Sequence, residues 1–434
     1  MFLADPHETM FAKRTQWNLT PNALTKRLKS LRKEGVSILD LTVSNPTLVG
    51  IEYPRELLVP LSDSSNLTYD PNPKGFLPAR QAVAHLYSSK GISLSPEQIF
   101  LTASTSEAYG FLFRLLCGPG DKVLVPRPSY PLFEYLTGIN DVEPIFYRLG
   151  YPEPSSRKSL SSGDRWRIDF ESLESVLSSE QGLPSRGGSF SGMKAVVAVH
   201  PNNPTGSSLT GEELETLLSI CQENRLALIA DEVFAEYRFG PQDHSPDKVQ
   251  GQKDLAIPAT LLGSPDVLTF SLGGLSKFLA LPQMKLSWIA ATGPSSLLSS
   301  ALERLEMIAD TVLSVNTPVQ HSLPTWLKFA TSIQGQISRR LTLNRKFLEA
   351  TLSLAKAECL NADGGWSAVL KIPSLRDEEA FVVELLAKAH TLVHPGYFFD
   401  FEEPGYCVVS LLPEEKIFQE GVTRLLQRSP SSHS

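Results

Sequence analysis

The chain has 434 residues, a formal net charge of −7, 41% hydrophobic residues and 20% charged residues. A globular chain of this length is too long for one ordinary core, so we expect two closely packed domains. The charge is spread without a basic tract and no apolar run could span a bilayer, which argues against nucleic acid and membrane partners. The four cysteines are far apart, so neither disulfides nor a metal site is expected. The beginning of the chain has no apolar signal segment, and we therefore expect a cytoplasmic protein.

Short apolar runs alternate with helical patterns between about residues 95 and 315. This alternation is typical of an α/β domain with a mainly parallel sheet, whose ligands bind at the carboxyl ends of the strands. The predicted strands are Gln98–Thr102, Lys122–Pro126, Met193–His200, Ala227–Asp231, Asp266–Ser271 and Leu286–Ala291.

The pattern changes to long helices and a few strands from about residue 324, which predicts a smaller α+β unit. We expect residues 66–319 to form the large domain. Residues 1–65 would contribute an N-terminal segment to the small domain, and residues 320–434 would form the rest of it.

Small hydroxyl residues, among them Ser104 and Thr105, follow the first predicted strand and open a helix. The free N–H groups at a helix N-terminus suit a phosphate, although an ordinary N-cap has the same pattern. Tyr130 follows the next strand and could stack on a planar ring, but a core tyrosine would look the same.

The loop His200–Gly206 and the strand end at Asp231 give stronger signals. Proline, asparagine and glycine residues fix the turn, and Asn203 offers an amide that can donate to a phenolic oxygen and contact a carboxylate. Asp231 ends a fully apolar strand, where a carboxylate needs a cationic partner such as a protonated pyridine nitrogen. A helix N-cap or an internal ion pair would satisfy Asp231 as well.

Lys277 lies in a glycine-rich turn after another apolar strand. Desolvation lowers the pKa of an amine and frees the lone pair that a Schiff base needs. By itself, however, a lysine after a strand is more often a solvated surface residue. Lys285, eight residues later, adds a second positive charge suited to a phosphate.

The ordered motifs Asn203–Gly206, Asp231–Val233 and Ser276–Lys277, with Lys285, resemble the class I/II aminotransferases, which are fold-type I pyridoxal-phosphate (PLP) enzymes. Tyr69–Gly75 adds to the resemblance, which covers nearly the whole chain. It implies a large domain with a mainly parallel, seven-stranded sheet sandwiched by helices, and a smaller α+β domain.

The resemblance also implies a role for each motif residue. Lys277 would hold PLP as a Schiff base and then move the proton of the substrate, while Asp231 would keep the pyridine nitrogen protonated. Asn203 would contact the 3′ oxygen of the ring, and Tyr130 would stack on the ring. The phosphate would be held by Ser104, Thr105, Lys285 and, from the neighbouring subunit of a homodimer, Tyr69.

Two departures from the family pattern bear on the site. Phe234 stands where the family usually has a tyrosine that donates to the 3′ oxygen. Val408 stands where it usually has the arginine that binds the substrate carboxylate, and no arginine occurs between Arg376 and Arg424. Removing one member of such a charged pair costs about 2–5 kcal/mol. Either another cation meets the carboxylate, or the substrate has none there.

Arg14 is our candidate for the missing cation, because N-terminal segments often line the cleft in the family. Ser44, Trp17 and Trp366 are expected in the cleft by the same resemblance, together with Asn203. Packing between the two domains would explain these residues equally well.

The function that we expect is PLP-dependent transfer of an amino group from an amino acid or amine to a 2-oxo acid. A PLP-dependent lyase or decarboxylase is the alternative, since the same cofactor can direct the cleavage of other bonds. A non-catalytic PLP-binding regulator is less favoured, because no basic DNA-reading helix is evident ahead of Tyr69.

Overall fold

The structure is a computed structural model that describes residues 10–152, 164–180, 192–239, 256–352 and 357–429. Its α-helices are α1 (Ala23–Lys33), α2 (Leu77–Ser89), α3 (Thr105–Leu116), α4 (Phe133–Gly138), α5 (Phe170–Glu180), α6 (Gly211–Asn224), α7 (Leu275–Phe278), α8 (Ser295–Asp310), α9 (Thr317–Trp326), α10 (Ala330–Leu352), α11 (Glu378–Ala389) and α12 (Glu415–Arg428). None of these described helices is long and apolar enough to cross a bilayer.

The strands are β1 (Leu39–Asp40), β2 (Ile99–Thr102), β3 (Lys122–Arg127), β4 (Glu143–Gly150), β5 (Arg167–Ile168), β6 (Met193–Val199), β7 (Ala227–Asp231), β8 (Thr269–Gly274), β9 (Ser287–Thr292), β10 (Glu358–Cys359), β11 (Ser367–Lys371), β12 (Thr391–Leu392), β13 (His394–Pro395) and β14 (Tyr406–Ser410).

The largest sheet has eight strands in the order β2-β9-β8-β7-β6-β3-β4-β5. The β4–β3–β6–β7–β8 pairs are parallel, whereas β9 and β5 run antiparallel to their neighbours. The mainly parallel α/β fold is confirmed, with one correction to the expected seven strands. The eighth strand, β5, has only two residues and pairs with the end of β4.

The sequence pattern also missed β4. Its side chains alternate between exposed and buried toward its end, because it lies near the edge of the sheet. Such a strand has no continuous apolar run to mark it.

The central strands are buried on both faces, as β7 illustrates. Leu228 and Ala230 pack with Leu217 of α6 on one face of the sheet. Ile229, between them, packs on the opposite face with residues of α3 and α8. Successive side chains of a strand point to opposite faces, so an unbroken apolar run needs a helical layer on each side.

A second, smaller sheet has the order β10-β11-β14-β13, and all its pairs are antiparallel. The N-terminal segment joins the C-terminal part through β1, which pairs with β12 in parallel, Leu39 opposite Thr391. The β14 strand faces the carboxyl ends of the large sheet, and the space between them holds the candidate site.

Candidate active site

A cavity of about 380 Å³ lies where the carboxyl ends of β3, β6, β7 and β8 meet the small sheet. The large sheet and its loops contribute Asn203, Asp231 and Lys277 to its wall, and the small sheet contributes Val408 and Ser410. This is the edge at which parallel α/β sheets bind ligands.

Lys277 reaches the cavity because β8 ends in two glycines and turns at once into the short helix α7. A Cβ atom on Gly274 would lie 2.2 Å from the Ser287 hydroxyl oxygen, so the close approach of β9 requires glycine there. Burial lowers the pKa of Lys277 to about 8, and the negative charge of Asp231 opposes this shift. A larger fraction of the amine is therefore neutral near pH 7 than in an exposed lysine.

Two aromatic rings surround the amine. The Nζ atom of Lys277 lies 4.8 Å from the ring centroid of Trp366 and 5.6 Å from that of Phe234. The two rings meet edge to face, with centroids 5.5 Å apart. They cover part of the amine with apolar surface and offer it no hydrogen-bond acceptor.

Asp231 ends β7 with its carboxylate held in place from two sides. The Tyr109 hydroxyl of α3 donates to Oδ2 at 2.9 Å, and the backbone N–H of Val233 donates to Oδ1 at 3.2 Å. Burial nevertheless raises the pKa of Asp231 to about 6, because these hydrogen bonds and the charge of Lys277 only partly offset desolvation. A cation bound beside Asp231 would stabilise its ionised form.

The N-terminus of α3 forms another part of the wall. Ser104 is the N-cap, and its hydroxyl oxygen accepts a hydrogen bond from the backbone N–H of Glu107 at 3.1 Å. Ser104, Thr105 and Ser106 all line the cavity. Free N–H groups, hydroxyl donors and the positive end of a twelve-residue helix together suit a phosphate.

The loop that carries Asn203 is anchored to the small-sheet side. The carbonyl oxygen of Gly206 accepts hydrogen bonds from the N–H groups of Asp363 and Gly364, at 2.9 and 3.1 Å. The Ser367 hydroxyl donates to Oδ1 of Asn203 at 3.4 Å, which leaves the amide nitrogen of this cavity-lining residue available as a donor. Asn203 thus connects the two sheets across the site.

Most of the residues predicted from the sequence come together here. The cavity is lined by Ser44, Ser104, Thr105, Tyr130, Asn203, Asp231, Lys277 and Trp366. Burial and the charge of Asp231 both raise the pKa of Tyr130, which places its hydroxyl near that carboxylate.

Two predicted phosphate contacts lie outside this cavity. Lys285 is exposed, follows a short 3₁₀ helix at Pro282–Met284 and is not among the residues that line the cavity, so its expected phosphate contact stays a prediction. Tyr69 is 74% exposed and lines a separate cavity with Asn66 and Asn316. Within one chain, Tyr69 and Lys277 therefore line different cavities.

Two predicted substrate contacts also lie elsewhere, which corrects their expected placement. Arg14 forms an ion pair with Asp141. Trp17 packs edge to face against Tyr135 of α4, with ring centroids 5.8 Å apart. The N-terminal segment therefore lies against α4, and Arg14 is paired with Asp141 and is not among the residues that line the cavity.

Sequence reasoning missed Tyr109 and His394, which both line the cavity. Tyr109 lies one helical turn after Thr105, so the helix prediction contained the signal that it shares a face with the N-terminus. His394 had no such signal, because it reaches the cavity through the pairing of β13 with β14.

Comparison with known proteins identifies the family. The sequence profile described as aminotransferase class I and II matches residues 38–419. The glutamate-pyruvate aminotransferase of Haemophilus influenzae is 27% identical over 410 residues, which are 92% of each chain. The alanine aminotransferase of Mycobacterium bovis is 26% identical over 408 residues, which are 91% of this chain and 86% of the relative.

A solved aminotransferase structure from Escherichia coli is similar with a TM-score of 0.78 at 23% identity, covering 98% of this chain and 99% of the other. At that identity the likeness establishes the fold alone. The profile match is more specific, since it spans most of the chain and includes Asn203, Asp231 and Lys277. The chain therefore belongs to the aminotransferase class I and II family and is an aminotransferase.

Proposed function

We propose that the chain uses PLP bound at Lys277 to move an amino group from an amino donor to a 2-oxo acid. The observation that carries this proposal is the shared cavity of Lys277, Asp231 and the N-terminus of α3. A largely buried amine, a carboxylate and a phosphate-binding helix end are the three groups that a pyridine aldehyde phosphate needs.

The residues that line the cavity fit this cofactor. The carboxylate of Asp231, which burial disfavours as an anion, would gain a cationic partner in the ring nitrogen. The amide of Asn203 would donate to the ring oxygen, and the ring of Tyr130 would cover one face. Ser104 and Thr105, with the N–H groups of α3, would hold the phosphate.

When bound, the cofactor supplies an aldehyde carbon that condenses with amines and a ring that withdraws electrons from the α-carbon of the substrate. Lys277 provides the amine that anchors it. The same Nζ atom, with its pKa lowered to about 8, can accept a proton from the α-carbon and return it near neutral pH. Trp366 and Phe234 would shield part of the amine from water during this transfer.

The donor and acceptor are proposed from the relatives. Glutamate, alanine and pyruvate are named in the activities of the relatives from Haemophilus influenzae and Mycobacterium bovis. We propose glutamate or alanine as the donor and a small 2-oxo acid as the acceptor, in the cytoplasm.

The domain boundaries follow the same proposal. We propose residues 66–319 as the cofactor-binding domain, and residues 1–65 with 320–434 as the small domain. The pairing of β1 with β12 supports assigning both ends of the chain to one unit.

The experiment is to purify the protein with PLP and to follow its visible spectrum as single amino donors are added. Transamination predicts loss of the aldehyde-form absorbance with one donor and its return with one 2-oxo acid. Lys277→Ala should abolish the cycle, whereas Lys416→Ala, at an exposed position of α12, should leave it unchanged. Release of ammonia or carbon dioxide would indicate a lyase or decarboxylase instead. No response to any donor by a PLP-loaded protein would contradict the proposal and favour a regulator.

A further inference from the structure

The cavity wall at Val408 is formed by neighbouring side chains of the small sheet. Val408 is 2% exposed and lies directly opposite Val369 on β11 and His394 on β13. Opposite residues of an antiparallel pair point to the same face of a sheet, with Cβ atoms about 5 Å apart. His394 and Val408 both line the cavity that contains Lys277, so the imidazole stands beside the position that lacks arginine.

The imidazole of His394 is held in place but has no hydrogen-bond partner among the residues that the structure describes. Its ring centroid lies 5.7 Å from those of Phe398 and Phe399, which fix the orientation of the ring. Its Nδ1 atom is buried and makes no hydrogen bond with any residue that the structure describes. Because Nδ1 is enclosed by protein, the ring can meet a ligand in the cavity only through Nε2, for which the structure describes no hydrogen-bond partner either. Polar atoms of a site are normally paired, so a free Nε2 on the cavity wall indicates a ligand that supplies the partner.

Few other side chains could meet an anion at this position. Within the described part of the chain, Lys277 and His394 are the only lining residues that can carry a positive charge. Lys277 is committed to the chemistry of the proposed function. Burial lowers the pKa of His394, and the charge of Asp40 opposes the shift, so a carboxylate would meet an imidazole that is mainly neutral.

We propose that His394 determines substrate specificity by donating a hydrogen bond to the α-carboxylate of the amino donor and the 2-oxo acid. The amide of Asn203, which Ser367 orients, donates to the same carboxylate from the other sheet. This inference rests on the proposed function and names the group that replaces the arginine. A single hydrogen bond from imidazole is a weaker anchor than a bidentate guanidinium, so we expect modest selectivity for carboxylates.

The test compares L-alanine with L-alaninamide, which has the same amine and side chain but no carboxylate. The rate constant for the spectral change of PLP-loaded protein is measured at rising concentrations of each. His394→Ala should lower the efficiency with alanine by about 10- to 100-fold, because a hydrogen bond to a charged group is lost. Its efficiency with alaninamide should stay within about threefold.

Binding without turnover gives a second readout. Propionate and propionamide are titrated calorimetrically into the PLP-loaded protein. The dissociation constant of propionate should rise at least tenfold in His394→Ala, while that of propionamide should not change. Adding Val408→Arg to His394→Ala should restore propionate binding from across the strand pair.

His85→Ala, which removes an exposed histidine on α2, is the matched control and should behave as wild type. If His394→Ala does not fold, His394→Gln keeps a donor in the same place and should retain part of the preference for alanine. If His394→Ala loses the same efficiency with alanine and with alaninamide, His394 acts only in packing. If it loses none, His394 contacts neither donor. In both cases the wild-type spectrum still responds to a donor. Failure of the proposed function itself would remove that response.

Discussion

Burial moves the pKa values of Lys277 and Asp231 toward each other, to about 8 and about 6. In solution the two groups are separated by more than six pKa units. The cavity therefore places an amine and a carboxylic acid where both can change protonation near neutral pH. Such a pair costs stability in the free protein, and a bound cation beside Asp231 would recover part of it.

Asp231→Asn should stabilise the cofactor-free protein near pH 7. A pKa raised to about 6 means that the folded state binds the proton more tightly than the unfolded chain. The stabilising effect of that proton is complete below about pH 4 and is lost as the pH rises through about 6. The asparagine oxygen can accept from the Val233 N–H while its amide nitrogen donates to the Tyr109 hydroxyl oxygen, and the charge is removed. We therefore expect about 1–3 kcal/mol more unfolding free energy at pH 7.

Urea unfolding at pH 4 and pH 7 measures this effect, and the difference from wild type should vanish at the lower pH. Asp310→Asn, at an exposed position at the end of α8, is the control and should change stability by less than about 0.5 kcal/mol. A less stable Asp231→Asn protein at pH 7 would contradict the raised pKa.

The site depends on a close contact between two loops, the one that carries Asn203 and the one that contains Gly364. The loop with Asn203 turns at Gly206, whose φ of +67° lies in the left-handed region. A Cβ atom there would lie 2.4 Å from the carbonyl oxygen of Gly364 and 2.6 Å from the Cβ atom of Ala362. The contact is mainly backbone against backbone, so neither loop can move without disturbing the other.

Gly206→Ala should therefore cost about 2–4 kcal/mol, from the left-handed conformation and the overlap together. It should also weaken PLP binding, since Asn203 would shift with the loop. Gly335→Ala is the matched control, because Gly335 lies within α10 and has no atom within 4 Å of an added Cβ. That change should stabilise by about 0.5–1 kcal/mol. Denaturant unfolding measures the free energy of unfolding of both variants. Equally small changes in the two would contradict the close contact at Gly206.

The sequence could predict the site residues at strand ends, but not the residues that long-range contacts bring to the site. Asn203, Asp231 and Lys277 were found because each follows a buried parallel strand, and such strand ends meet whatever the details of packing. Arg14 was misplaced because the course of an N-terminal segment depends on long-range contacts that no local pattern reports. His394 was missed because only the register of β13 against β14 brings it to the cavity.

At the scale of the whole molecule, one surface carries exposed apolar side chains beside Tyr69. Leu67 is 90% exposed and Tyr69 is 74% exposed, and Leu58 and Val59, shortly before them in the chain, are 60% and 66% exposed. Apolar side chains grouped in this way mark an interaction surface. We propose a homodimer in which each Tyr69 completes the partner's cavity.

Mixed dimers test this arrangement. Lys277→Ala and Tyr69→Ala proteins are each expected to be nearly inactive, and they are mixed, unfolded and refolded together. If Tyr69 acts across the interface, one site of every mixed dimer has an intact Lys277 and an intact Tyr69, so activity should return. No return of activity, or a monomer in sedimentation, would contradict the shared site. Refolding each variant alone is the control.

The pairing of β1 with β12 joins positions about 350 residues apart, Leu39 and Thr391. The wall around Val408 is close behind in the chain, so it leaves the ribosome after the strands of the large sheet. At about 5–20 residues per second, it follows Lys277 by on the order of ten seconds. During synthesis the reactive amine is therefore made well before the strands that enclose it. Binding of the cofactor to Lys277 during translation, when the amine is still open, would therefore differ from its binding to the folded chain, in which the small sheet closes the cavity.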